Sequence, residues 1–233
     1  MTEKIPLIII NFNQLSYLRN LINQFKFYYP NNPVHIVDNG STYAPLLEFY
    51  EKNPSIKVAR FTENKCVDNL RGFLDVQSFS YYAISDPDIS IHPATPPNFL
   101  EIFKELIISG FHHAGFDLIT EDIPSWNKRG GWIQGDEKAL HNKMVSITYD
   151  GQTYTGFRAP IDTTFCLYSS ENGGWQAPMK PEHWDNSVRM FKAFHLPWYL
   201  HPEYVNEEMR NYFATCLKRD DSLPSAGRNH YSV

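Results

Sequence analysis

Cysteine is scarce in this chain: three in 233 residues, at Cys66, Cys166 and Cys216, with no Cys-x-x-Cys spacing. That excludes a disulfide scaffold and a thiolate zinc site, and it fits a reducing compartment. Glycine-rich phosphate loops are missing as well. No Gly-x-Gly-x-x-Gly follows the first apolar run and no Gly-Lys-Ser/Thr occurs anywhere, which weakens dinucleotide and P-loop readings. The lack of a Gly-x-Ser-x-Gly elbow does the same for a serine hydrolase. Positive charge is in short supply: 21 Lys and Arg against 26 Asp and Glu leave a formal net charge of −5, so a nucleic-acid groove is disfavoured. No apolar run approaches the ~20 residues that span a bilayer. The first one, residues 5–10, is interrupted by Pro6 and is too short for a signal peptide. A soluble cytoplasmic protein is expected.

What is present is apolar content of 42% and aromatic content of 15%, the composition of a globular protein with clefts. Leu7-Ile8-Ile9-Ile10 is a continuous apolar run, as in a parallel strand buried on both faces. Leu15, Leu18, Leu21, Ile22 and Phe25 then recur at helical spacing until Tyr29-Pro30-Asn31-Asn32-Pro33 stops them. Residues 34–37 give a second strand, residues 44–52 a second helix and residues 56–60 a third strand. This β-α-β-α-β order with short loops predicts a mostly parallel central sheet flanked by helices. A fourth strand covers residues 81–85. Ligands of such sheets sit beyond the carboxyl ends of the strands, where Asn11, Asp38 and Asp86 fall.

Residues 99–107 predict another helix closed by Gly110, and residues 114–119 another strand. Regularity then weakens. Residues 126–135 carry Gly130, Gly131, Gly135 and two tryptophans and are expected to form a loop. Residues 145–149 and 152–157 predict a hairpin around Asp150-Gly151. A strand is expected over residues 163–168, then a loop through Trp175, residues 190–196 and a last helix over 203–217. The chain is expected to be one domain (1–233): a nucleotide-type half (1–120), an acceptor-type half (121–218) and a polar tail (219–233).

The stretch with the most chemistry is Ser85-Asp86-Pro87-Asp88. Two carboxylates at i and i+2 of an extended chain face one side, and they repel unless a cation or hydrogen-bond donors share them. Such oxygen-rich pairs suit Mg²⁺ or Mn²⁺ together with substrate phosphates. Alone, Asp-Pro-Asp is an ordinary turn.

In context it is more specific. Ile8-Ile9-Ile10-Asn11-Phe12-Asn13, Ile36-Val37-Asp38-Asn39-Gly40-Ser41-Thr42 and Ser85-Asp86-Pro87-Asp88 together resemble the landmarks of GT-A-fold glycosyltransferases of the family 2-like, inverting kind. The resemblance covers residues 5–120 in order and spacing. The segments 159–165 and 195–199 are similar to a smaller branch of the same superfamily. It implies an α/β, Rossmann-like nucleotide-diphospho-sugar transferase fold, with a sugar nucleotide as donor (UDP the expected nucleotide) and Mn²⁺ or Mg²⁺ as cofactor. Asp38 would read the nucleobase, Asp86 would lie near the ribose or a metal-bound water, and Asp88 would ligate the ion bridging the diphosphate. Asn11 falls beside them. Residues 64–72 stand where the family lines its donor site but lack its early glycine; Arg71 is either a donor contact or a surface cation.

An inverting transfer needs a general base for the acceptor hydroxyl. Asp162 is the first choice, between Ala159-Pro160-Ile161 and a Thr- and Phe-rich run, with a structural clasp to Thr163 or Thr164 as the other reading. Glu182 and Asp185 are reserves. His195, before Leu196-Pro197-Trp198, is a core histidine or, as the resemblance suggests, a further metal ligand. Trp132 and Trp175, each beside a glycine, are candidates to stack on an acceptor sugar. The acceptor would be a hydroxyl of a glycan, lipid-linked or free, so peripheral membrane association is compatible with the lack of an anchor. Two other functions fit the pattern less well. A sugar-nucleotide-forming nucleotidyltransferase would open with a basic glycine-rich loop, not Asn11-Phe12-Asn13-Gln14, and a non-catalytic carbohydrate-binding module would not need the acidic pair.

Overall fold

The computed structural model describes residues 4–141, 143–161, 164–175 and 186–216. Its elements, in chain order, are β1 (Leu7–Asn11), α1 (Ser16–Tyr28), β2 (Val34–Asp38), α2 (Ala44–Lys52), β3 (Lys57–Arg60), α3 (Val67–Leu74), β4 (Tyr81–Ser85), β5 (Ile89–Ile91), α4 (Phe99–Ile108), β6 (His113–Leu118), α5 (Gly130–Leu140), β7 (Lys143–Tyr149), β8 (Gln152–Arg158), β9 (Cys166–Ser169), β10 (Ser187–His195) and α6 (Glu207–Cys216). Two 3₁₀ turns, Leu196–Tyr199 and Pro202–Tyr204, join β10 to α6.

The strands form one sheet in the order β3-β2-β1-β4-β9-β6-β10-β8-β7, with β5 pairing β10. It is parallel through β3, β2, β1 and β4, as the buried apolar runs predict, and mixed beyond. β9 inserts antiparallel between β4 and β6, so the two expected halves of the chain share one sheet without a seam.

The larger core cluster lies where α1 and α4 pack on the sheet. Leu18, Leu21, Ile22 and Phe25 of α1 meet Phe99, Ile102, Phe103 and Leu106 of α4 over Phe116 and Phe165. Each of these large side chains contributes roughly 1.5–3 kcal/mol by leaving water. On the opposite side, Ile8, Ile10, Val37 and Ile84 pack against Leu70 and Phe73 of α3 and against Tyr168.

The last helix begins at Glu207 rather than at 203, the strand expected over 163–168 is Cys166–Ser169, and two segments take another form than expected. Residues 130–140 form helix α5 rather than a loop. Its Gly130 packs so closely that a Cβ there would lie 3.0 Å from Ile123 Cγ2, and Ile133 is buried. Gly130 thus serves close packing, not a turn. Most of the expected donor-lining segment 64–72 lies in helix α3, whose buried Asn69, Leu70 and Phe73 seat it on the sheet. Gly156 is also fixed by proximity: a Cβ there would fall 2.3 Å from the Arg189 carbonyl oxygen, across the β8–β10 pair. Gly156→Ala is therefore expected to force these strands apart and cost about 2 kcal/mol, read as a lowered urea midpoint at unchanged slope.

Candidate active site

Because β1, β2 and β4 run parallel, Asn11, Asp38 and the 86–88 segment leave the sheet at one edge. β10 is parallel to β6, and its last residue, His195, pairs with Ile89 of β5. That register carries His195 to the acidic pair. Its Nε2 lies 3.7 Å from Asp88 Oδ1, and the Leu196 N–H donates to the Asp88 carbonyl at 2.9 Å. Asp88 is only 8% exposed. Burial pushes the His195 imidazole down to about 3, so it is neutral near pH 7 and presents a lone pair, not a charge. Asp86 is half-buried, and its carbonyl accepts the Ser85 hydroxyl at 2.8 Å.

The strand-end residues on the other side of the site are held firmly. Asp38 is fully buried; one carboxylate oxygen accepts the Ser41 N–H at 3.0 Å and the other accepts the Tyr50 hydroxyl at 2.9 Å. Tyr50 in turn accepts from Asn11 Nδ2 at 2.9 Å. Arg60 Nε stands 4.0 Å from Asp38. Asp38 thus clasps the Asn39–Thr42 turn. Asn11 Oδ1 is buried and accepts no hydrogen bond among the described residues.

Residues that sequence reasoning missed tie these loops together. Asn13 is fully buried at φ 55°; its Oδ1 accepts the Thr42 and Tyr43 N–H groups, and its Nδ2 donates to Thr215 Oγ1 of α6 at 3.1 Å. Glu208 of α6 accepts the Leu15 and Ser16 N–H groups at 2.8 and 2.9 Å and the Ser16 hydroxyl at 2.6 Å, capping α1 from the far end of the chain. Tyr17, on the first turn of α1, is held protonated by burial and by the nearby Asp88 and Glu208 carboxylates. The only signal for Asn13 was its place in Asn-Phe-Asn, and for Glu208 the acidic start of a helix.

Other expected site residues separate. Arg71 is exposed on α3 and paired with Asp68 Oδ1 at 2.7 Å, the surface-cation alternative. Trp175 packs against the α3-side cluster, and its backbone N–H donates to the Tyr82 hydroxyl at 2.7 Å. It follows β9, which runs antiparallel to β4, so it lies toward the opposite edge of the sheet from Asp88. That removes the physical basis for its stacking on an acceptor there. Trp132 is 63% exposed on α5. Asp162, Glu182 and Asp185 lie outside the described residues. A partly buried polar network not legible in the sequence joins Asp117, Lys192, His141, Arg189 and Glu137; Lys192 Nζ donates to Asp117 at 2.8 Å, and Arg189 Nε donates to the Pro160 carbonyl at 2.7 Å. A bulge at Phe191 (φ 56°) turns Arg189 and Lys192 to the same side of β10.

The model of the family described as glycosyl transferase family 2 matches residues 7–164, about two thirds of the chain. The chain belongs to that family. Among solved structures, this family 2 glycosyltransferase is similar to the mannosyltransferase PcManGT from Pyrobaculum calidifontis in complex with GDP-Man and Mn²⁺, with a TM-score of 0.53 and 13% identity over 96% of this chain and 67% of that one. That likeness shows the GT-A fold. It is also similar to S. aureus TarS 1–349, with a TM-score of 0.48 and 14% identity over 94% and 66% of the two chains. Glucosyl-3-phosphoglycerate synthase from Mycobacterium tuberculosis, in complex with Mn²⁺, UDP and phosphoglyceric acid, gives 0.45 and 13% over 73% and 57%. The chain thus spans about two thirds or less of the length of these three proteins. No curated protein matches it at the sequence level. No helix among the described residues is long and apolar enough to cross a membrane.

A divalent cation fits the donor atoms at Asp88 and His195, a buried carboxylate oxygen facing a neutral imidazole nitrogen. Among the described residues no group of three or more His, Cys, Asp and Glu side chains could enclose an ion. Two protein ligands with the rest left to substrate phosphates and water is how Mg²⁺ and Mn²⁺ are commonly held.

Proposed function

We propose that this family 2 glycosyltransferase is metal-dependent and inverting, and that it moves a sugar from a nucleotide donor, UDP-linked by preference, to a hydroxyl of a glycan acceptor. The observation that carries the reading is the Asp88–His195 pair at the strand-end edge, beside Asn11 and the clasped Asp38 turn. Asp88 and His195 would hold the cation, with Asp86 in support. Bound there, the ion would supply charge stabilisation to the departing nucleoside diphosphate. Asn11 Oδ1 and the turn that Asp38 fixes would line the nucleotide side. Asp162 would take the proton from the acceptor hydroxyl as its oxygen attacks the anomeric carbon and the bond to the diphosphate breaks. Trp132, exposed on α5, would meet the acceptor sugar. The protein would work in the cytoplasm, reaching any lipid-linked acceptor at a membrane surface.

The test is to incubate the protein with UDP-, GDP- and dTDP-sugars and Mn²⁺, read nucleoside diphosphate release, and assign the anomeric configuration of the product by proton NMR. Inverted configuration, with Asp162→Asn keeping donor binding and losing transfer, is the expected result. A retained configuration would overturn the inverting mechanism, and full transfer by Asp162→Asn would overturn the base.

A further inference from the structure

The two edges of the sheet are built differently. At one edge β3 is four residues long with Lys57 and Arg60 at its ends, the short, charged form that discourages a second strand from adding. At the other, β7 reads Lys-Met-Val-Ser-Ile-Thr-Tyr: seven residues, one charge, no proline, with Met144 66% exposed. β8 pairs with β10 only over Gly156, Phe157 and Arg158, so the outer half of the β7–β8 hairpin stands clear of the sheet.

The hairpin's register decides which backbone groups are left open among the described residues. Asp150 (φ 48°) and Gly151 (φ 75°) make the two-residue turn with two left-handed residues, which closes Tyr149 and Gln152 into a pair exchanging both backbone hydrogen bonds. Alternation from there turns the N–H and C=O groups of Ile147 and Val145 toward β8, and those of Met144, Ser146 and Thr148 away from it. The same three residues are exposed. Val145, Ile147 and Tyr149 pack against the core and keep the strand in place.

We propose that β7 is a self-association edge, and that a second copy of this chain adds antiparallel, β7 to β7, about a two-fold axis through Ser146. The occupant follows from charge. β7 begins at Lys143, its one charged residue, and the turn after it carries Asp150. In the antiparallel register centred on Ser146, Lys143 faces Tyr149 of the second copy and neighbours that copy's Asp150, at both ends of the pair. Parallel alignment would set lysine on lysine and aspartate on aspartate, which is unfavourable. The axis places Ser146 against its own copy and Met144 against Thr148, and the outward groups make about six backbone hydrogen bonds. One strand pair buries less than the ~1,600 Å² of a standard interface, so the dimer forms and dissociates with concentration.

Light scattering of the full chain over a dilution series is expected to show a dimer that dissociates. Ser146→Lys sets two like-charged side chains directly opposite each other across the axis, on Cα atoms ~5.5 Å apart, and should weaken dimerisation at least 10-fold. Thr153→Lys, exposed on β8 of the same hairpin, should leave it unchanged. Circular dichroism and melting temperature check that both variants fold. If Ser146→Lys does not, Ser146→Cys replaces it: mild oxidation should join two chains through that position and should not do so in the wild type or in Thr153→Cys. A monomer at every concentration, equal weakening by Thr153→Lys, or oxidative joining as efficient at position 153 as at 146 would overturn the proposal.

Discussion

Asp88→Asn is expected to abolish the metal-dependent part of donor binding while the fold stays intact. The substitution keeps the shape of the side chain and removes its charge, and a hard divalent cation prefers a carboxylate to a neutral amide. Asp88 is buried, and its carbonyl, untouched by the change, still accepts the Leu196 N–H that anchors the end of β10. Calorimetry of nucleoside diphosphate binding with and without Mn²⁺ separates the effects. The wild type should bind much more tightly with the ion, and the variant should lose on the order of 100-fold of that increment, at or above the range seen when groups behind a metal ligand are removed. His195→Gln should lose less, ~10-fold, because the carboxylate remains. An Mn²⁺ increment undiminished in Asp88→Asn would sink the assignment of this pair.

The second large effect falls on stability. Glu208→Ala removes a buried carboxylate that accepts three hydrogen bonds from Leu15 and Ser16 at the start of α1. Hydrogen bonds to charged groups contribute more than neutral ones, and a lost helix cap alone costs ~1 kcal/mol. Some of the freed donors will find water, so the net cost is about 3 kcal/mol. For a domain of this size that lowers the melting temperature by roughly 6–12 °C in calorimetry. Glu208→Gln, which keeps one acceptor oxygen, should fall about halfway. A melting temperature unchanged in Glu208→Ala would mean that α6 does not hold the β1–α1 loop in solution.

The sequence announced the parallel part of the fold because its signals there are local. β4 and α2 match the expected residues 81–85 and 44–52, and β2 adds only Asp38 to the expected 34–37, since contiguous apolar runs and short turns leave little choice. α5 was hidden because glycine carries two meanings: Gly130 is demanded by the approach of Ile123, while the same letter in sequence signals a turn. At the strand-end edge, the spacing of Asp86 and Asp88 and their place after an apolar run were legible in the sequence. Glu208 was not, since it acts on residues more than 190 positions away. The Arg189–Lys192 network was equally hidden, because it depends on a bulge at Phe191 that reverses the facing of one residue. Trp175 was ambiguous because a tryptophan beside glycines describes packing against an apolar cluster as well as it describes a sugar platform.

The place of β9 bears on how the chain is made. β4 and β6 are both synthesised before it, yet each has β9 as its hydrogen-bonded neighbour. β9 leaves the ribosome about fifty residues after β6 ends, which at 5–20 residues per second takes roughly 3–10 s. During that interval the facing edges of Tyr81–Ser85 and His113–Leu118 wait for Cys166–Ser169, and the far edge of His113–Leu118 waits longer, for Ser187–His195. The nascent chain therefore has a defined period in which chaperone shielding matters, and the emergence of one four-residue segment closes the gap between β4 and β6.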